Sequence, residues 1–331
     1  MAARTRYAPD RGLTVRMTAT LFLLGLVFVA FVALIIGIMT AAHASGASII
    51  LVAVIFGGGS AFISLFFSDK IALAAAGAQV VTPQQAPELH GIVDRLCALA
   101  DMPKPRVAIS PARMPNAFAT GRNSEHAVLC VTDGLLRYSD LTQEELEGIL
   151  AHELSHVAHK DVQVMTYASL LAIVAGLLVR FAFYSELFGG ARRSDNGQAA
   201  LLIPLIMLAS AVVYAISFLL IRLLSRYREL AADRSGALLT QNPSALISAL
   251  TKVSQGMNRI PTQDLRAAEP LNAFYFAPAM KMNLSGRRGG GGGASLSTLF
   301  STHPSLDKRI EQLSKIQREL GQPGAEPRGL R

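Results

Sequence analysis

The sequence predicts a mainly α-helical integral membrane protein, in which four transmembrane helices accompany a cytoplasmic α+β domain. Three observations carry this expectation. Of 331 residues, 51% are hydrophobic and only 16% charged, with a mean hydropathy of +0.37, more apolar surface than one ordinary core can keep from water. Four apolar runs reach the roughly 20 residues that cross a bilayer as helix. Arginines collect mainly at the ends of those runs on one side. The same composition excludes a wholly disordered chain. Two cysteines, Cys97 and Cys130, exclude a disulfide scaffold and read as buried thiols in a reducing compartment. The net charge of +8 is accounted for by arginines flanking the spans, so no nucleic-acid partner is expected.

Residues 1–16 form an N-terminal tail carrying Arg4, Arg6, Arg11 and Arg16. The first span, 17–39, has no charge, and neither has the second, 47–67, which contains Gly57, Gly58 and Gly59. Ala42-His43-Ala44 resembles a signal cleavage site, but the run before it is too long for a signal peptide and a second span follows at once. The third span, 162–183, is apolar except for Arg180, which is expected to snorkel to the outer interface. The fourth, 199–221, is interrupted only by Pro204, near its start, where a helix tolerates proline. The turn near 43–46 has no arginine or lysine, and the 184–198 loop has only Arg192 and Arg193, offset by Glu186 and Asp195. Arg222, Arg226 and Arg228 follow the last span. Both termini and residues 68–161 are therefore expected on the cytoplasmic side.

Within 68–161, residues 87–100 place Leu89, Ile92, Val93, Leu96 and Leu99 at helical spacing behind a starting proline. Residues 106–110, 116–121 and 126–132 read as short strands separated by Pro, Gly, Asn and Ser. Thr142 followed by Glu145 is a capping box opening a helix that continues to Lys160 through Leu146, Ile149, Leu150 and Leu154. Helix, small sheet and helix make an α+β unit. Beyond the fourth span, helices are expected over 225–239, 242–255 and 305–320. Residues 285–297 include Gly289–Gly293 and read as a flexible linker; the lysine and Ser/Thr of a phosphate-binding loop are missing.

The chemistry lies in His152-Glu153-Leu154-Ser155-His156, an HExxH sequence inside the capped helix. Four residues advance a helix by about 400°, so both imidazoles leave one face a turn apart, as two zinc ligands must. Glu153 lies about 100° round, beside an open metal position, where it can take a proton from water and pass it to a leaving amine. A water-activating zinc needs a third protein ligand. His159, read on the same continuous helix, points too far along the axis and is expected at the surface. Glu229 is the better candidate, with Asp233 one turn on to accept an N–H from a ligand histidine. An ion pair between Glu229 and a neighbouring arginine is the competing reading.

HELSH followed by the distant ELAAD resembles the gluzincin pattern. Together with flanking spans, NAFATGR (116–122), SRYRELAADR (225–234) and FSTHPSLDKRI (300–310), it resembles the HtpX branch of membrane zinc proteases, with the CAAX prenyl protease a more distant relative. The resemblance covers about residues 15–315. It implies a zincin-like catalytic domain holding one Zn²⁺, and an endopeptidase of the bacterial inner membrane that acts in membrane-protein quality control and the stress response, with its site facing the cytoplasm. It further implies that Asn116, Ala117 and Phe118 lie in an edge strand pairing with extended substrate, although an internal strand fits the sequence equally. His303 resembles a histidine whose N–H stabilises a tetrahedral oxyanion, or it is simply a residue at a helix start before Pro304. The glycine-rich 285–297 and the tail beyond Leu320 depart from the pattern.

The expected organisation is a tail (1–16), two spans (17–67), a cytoplasmic protease domain (68–161), two spans with a short periplasmic loop (162–221), a cytoplasmic part completing the zinc site (222–320) and a flexible tail (321–331). The HELSH helix runs almost directly into the third span, which puts the zinc near the cytoplasmic membrane surface. Expected partners are protein substrates and the lipid bilayer; the oligomeric state is open. Two other classes compete. A four-span transporter or channel should line its path with intramembrane charges, and the spans offer only Arg180. A silent zinc scaffold would not need the intact Glu153.

Overall fold

A computed structural model of the chain describes residues 11–41, 62, 66–67, 69–121, 123–169, 172–173, 175–176, 197–258 and 303–321. The second expected span, Arg180, Arg192, Arg193, Arg122 and the glycine-rich 285–297 stretch lie outside these residues, apart from Phe62, Phe66 and Phe67. The same holds for the tail beyond Gly321. The chain divides into two compact units, one of Met1–Leu13, Phe67–Val162 and Arg226–Arg331, the other of Thr14–Phe66 and Gln163–Ser225.

In the second unit, helix α1 (Arg11–Ala41) begins six residues before the expected span. Two described helices are long and apolar enough to cross a membrane, over Arg11–Leu34 and Pro204–Thr240. Large apolar side chains point outward from them, Phe22 and Leu208 among them, as a lipid-facing surface requires. Leu24, Phe31, Ala168, Ala175, Val213 and Leu224 pack together inside this unit.

The first unit contains a four-stranded mixed sheet. Its strands are β1 (Gln79–Val80), β2 (Arg106–Ser110), β3 (Ala117–Thr120) and β4 (Val128–Thr132), in the order β1-β2-β4-β3. β2 and β4 run parallel, with Ala108 opposite Cys130, while β1–β2 and β3–β4 are antiparallel. Helix α2 (Pro87–Ala100) occupies its expected residues, with proline in the first turn. It ends at Asp101, whose left-handed φ of 54° lets its N–H return to Cys97 O. A short helix α3 (Asp133–Tyr138), not expected from the sequence, follows β4 directly because Thr132 caps it, accepting from Leu135 N.

Helix α4 (Gln143–Ala158) carries the HELSH sequence. Its capping box forms as expected: Thr142 N donates to Glu145 Oε2 at 2.7 Å and Glu145 N to Thr142 Oγ1 at 3.3 Å. α4 stops at Ala158 rather than Lys160. His159 is its C-cap and Lys160 is left-handed, with φ 57°. Helix α5 (Gly197–Thr240) is continuous, and from Arg226 onward it belongs to the first unit. α6 (Pro243–Asn258) and α7 (Leu306–Glu319) complete that unit.

Glu145 does more than cap. It also accepts from Lys252 Nζ of α6 at 2.8 Å, tying the start of α4 to its neighbour. Gly148 of α4 lies where a Cβ would stand 3.4 Å from Leu246 Cα, so the two helices pack closely. Leu129, Ile149, Leu150, Leu154, Leu246, Leu250, Leu313 and Ile316 form the main core between one sheet face and these helices. Ala108, Phe118, Val128 and Cys130 cover the other face with Ala72.

Candidate metal centre

Helical spacing on α4 brings His152 and His156 together as expected: their Nε2 atoms are 3.2 Å apart. Glu229, from the second-unit-to-first-unit helix α5, approaches both, with Oε2 3.7 Å from His152 Nε2 and Oε1 3.6 Å from His156 Nε2. Donors held at 2.0–2.2 Å around a tetrahedral zinc stand roughly 3.3–3.5 Å apart, so this triangle has the right size for one metal ion. The chemistry of the donors agrees. His152 Nδ1 lies 2.9 Å from Asp233 Oδ1 and His156 Nδ1 2.7 Å from Asp161 Oδ2. Carboxylates on both Nδ1 atoms assign the ring protons there. Two Nε2 lone pairs then face each other and the Glu229 carboxylate, an arrangement that a cation stabilises.

His152 is fully buried, and burial brings its imidazole down to about 4 in spite of Asp233. A neutral ring is the form that binds metal. Glu153, 4% exposed, projects beside the histidines and accepts from Ala119 N of β3 at 3.1 Å. Burial raises its carboxyl to about 8, with His156 pulling the other way. A proton affinity in that region suits a group that must take and return a proton near neutral pH.

The sequence reading is extended at several points. Asp233 reaches His152 as anticipated, but Arg309 grips Asp233 through Nε at 2.8 Å and Nη2 at 2.6 Å. Burial works against the charge of Arg309; Asp233, then Glu229 and Glu153, more than reverse this and raise its pKa. Arg309 stands within the FSTHPSLDKRI motif, yet no spacing rule gave it a role. His303, 8% exposed, places Nδ1 3.1 Å from Glu229 Oε2. It therefore belongs to the cluster. The neighbouring Arg228 pairs with Asp161, whereas Arg309, distant in sequence, stands 3.9 Å from Glu229 Oε2. His159 is outside the donor triangle but not at the surface: it is half-buried, its Nε2 3.5 Å from Ser235 Oγ, and burial holds it near 4. The expectation of a surface histidine failed because α5, distant in sequence, packs against this turn through Arg228 and Ser235.

β3 is at the edge of the sheet among the described residues, beside α4. Thr132 N donates to Asn116 O at 3.0 Å, so Asn116, and with it Phe118 two residues on, turns its backbone groups toward β4. Ala117 and Ala119 turn theirs outward, the latter to Glu153. The Phe118 side chain is buried with Cys130. A small cleft lies between Ala119–Gly121 and the end of α4 at His156 and Val157, with Lys160 just beyond it.

A helix-borne HExxH pair joined by a carboxylate from a second helix, next to an edge strand and accompanied by long apolar helices, defines a class: membrane metallopeptidases. The comparisons agree. Residues 83–317 match peptidase family M48. The chain is 56% identical over 322 residues to Protease HtpX homolog 1 of Streptomyces coelicolor, covering 97% of this chain and 98% of that one. It is 46% identical to the Protease HtpX homolog of Moorella thermoacetica (96% and 98%) and 45% to Protease HtpX homolog 2 of Methanosarcina mazei (96% and 99%). The crystal structure of Ste24p from S. mikatae shares the fold, with a TM-score of 0.54 at 16% identity over 92% of this chain and 67% of that one. The chain belongs to peptidase family M48 and is a membrane metalloendopeptidase.

Proposed function

We propose that this enzyme is a zinc endopeptidase of the inner (plasma) membrane that cleaves membrane or misfolded proteins, with four spans and with both termini and the active site in the cytoplasm. The observation that carries the proposal is the triangle of His152, His156 and Glu229 with Glu153 beside it. The four apolar runs and their arginine distribution support the topology.

His152, His156 and Glu229 would hold the zinc, which when bound supplies Lewis-acid polarisation of the scissile carbonyl and acidifies water. Asp233 keeps the His152 proton on Nδ1 and its lone pair on Nε2. Substrate lies extended along β3 and bonds the outward backbone of Ala117 and Ala119. For that, Glu153 must give up the Ala119 N–H, which frees its carboxylate at the moment substrate arrives. Glu153 then takes a proton from the attacking water and delivers it to the leaving amine. His303, adjacent to Glu229, is placed to donate to the oxyanion that develops on the carbonyl.

Glu153→Gln tests this reading, because Glu153 is not a ligand. The variant is expected to retain its zinc while casein or self-cleavage falls by at least about 10²–10⁴-fold. Full cleavage activity in Glu153→Gln would sink the mechanism.

A further inference from the structure

The two candidate ligand histidines are supported in the same way from opposite sides. His152 meets Asp233, which is held by buried Arg309. His156 meets Asp161 at 2.7 Å, and Asp161 is held by buried Arg228. Arg228 also donates from Nη2 to His159 O at 3.0 Å, the carbonyl of the residue that caps α4. We infer that Asp161 and Arg228 are a positioning pair for His156: Asp161 fixes the ring by its Nδ1 proton, and Arg228 fixes Asp161 together with the turn that carries it.

The inference rests on the zinc reading above. Asp161 is five residues beyond His156, past the end of α4, so no helical spacing aligns the two. The turn at His159 and left-handed Lys160 brings it back. A buried carboxylate needs a counter-charge. Arginine suits the place because one nitrogen of its rigid, planar guanidinium, Nη2, meets both the carboxylate and the carbonyl in a fixed geometry, which an ammonium group on a flexible stem does less well. Arg228 directly precedes Glu229, and Asp233 is one turn further on. A single stretch of α5 thus carries a metal ligand, the carboxylate for one histidine and the counter-charge for the other histidine's carboxylate. Without Asp161, the His156 proton is free to move to Nε2, where it blocks metal binding.

The test uses the full-length chain in detergent, with Zn²⁺ affinity read by chelator competition and melting temperature read with and without Zn²⁺. Asp161→Asn is expected to weaken Zn²⁺ binding by about 10–100-fold and to shrink the rise in melting temperature that Zn²⁺ produces. Arg228→Lys is expected to lose less than Arg228→Met. The double variant Asp161→Asn/Arg228→Met leaves no unpaired charge of the pair buried, which keeps the test open if a single variant does not fold, and it too should bind Zn²⁺ weakly. A purely structural tie predicts something else: zinc-loaded and zinc-free forms melt lower by the same amount and Zn²⁺ affinity stays at the wild-type value. That outcome overturns the inference. Wild type and Glu229→Ala run alongside, and if they bind Zn²⁺ equally the zinc reading itself fails, whatever Asp161 does.

Discussion

At Gly236, α5 comes close to the HELSH helix. A Cβ built there would stand 2.9 Å from His152 N and 3.2 Å from Ala151 C and His152 Cα. These are backbone atoms of a helix, which cannot rotate away. Ordinary contact begins at 3.4 Å, so Gly236→Ala must push the two helices apart by roughly 0.5 Å, about the tolerance within which a site must be held. Glu229 and Asp233 ride on one helix and His152 and His156 on the other, so the displacement opens the donor triangle. Overpacking costs about 1–3 kcal/mol, and alanine returns about 1 kcal/mol of helix propensity over glycine. The net loss of stability is therefore only about 0–2 kcal/mol. Function should suffer more, with cleavage falling by up to about 10²-fold, as misplacements on this scale do. Gly91 is the control. It is an exposed position within α2, with nothing within 4 Å of its Cβ, and Gly91→Ala should raise stability slightly and leave cleavage unchanged. Thermal melting and initial rates on both variants decide the matter. If Gly236→Ala cleaves and binds zinc like wild type, close helix contact does not set the site geometry and the reasoning is refuted.

Two further outcomes follow from other parts of the first unit. Thr142→Ala removes half of the capping box at the start of α4 and should cost about 1 kcal/mol in melting or denaturant titration, with the rest of the Glu145 network, Ser248 and Lys252, still in place; no measurable loss would contradict the capping role. Burial raises the thiols of Cys97 and Cys130 to about 11 and about 12, so both stay protonated at neutral pH and should resist alkylation until the protein is unfolded; rapid labelling of native protein at pH 7 would contradict their burial.

What could be read in the sequence was whatever local rules dictate. α2, α4 and α7 fall within two residues of expectation because proline, the Thr142–Glu145 box and the Ser305 cap fix their starts. The HELSH histidines converge because helical spacing alone suffices. β1 escaped notice because Gln79–Val80 is only two residues long and exposed, and α3 because it begins on the residue that ends β4. Arg309, Asp161 and Arg228 take part through contacts across 67 to 76 residues, or around a turn, and no periodicity encodes those. His159 shows the converse error. The pattern placed it along the helix axis but could not show that Arg228 and Ser235 of α5, about 70 residues on, cover that turn.

The central claim is that His152, His156 and Glu229 together hold the metal, with His159 taking no part. Zinc content of the purified full-length chain tests it directly. Wild type and His159→Ala should each carry about one zinc per chain, whereas Glu229→Ala, with one of three ligands gone, should lose most of its zinc and its cleavage activity with it. A His159→Ala protein stripped of zinc, beside a fully loaded Glu229→Ala protein, would contradict the account.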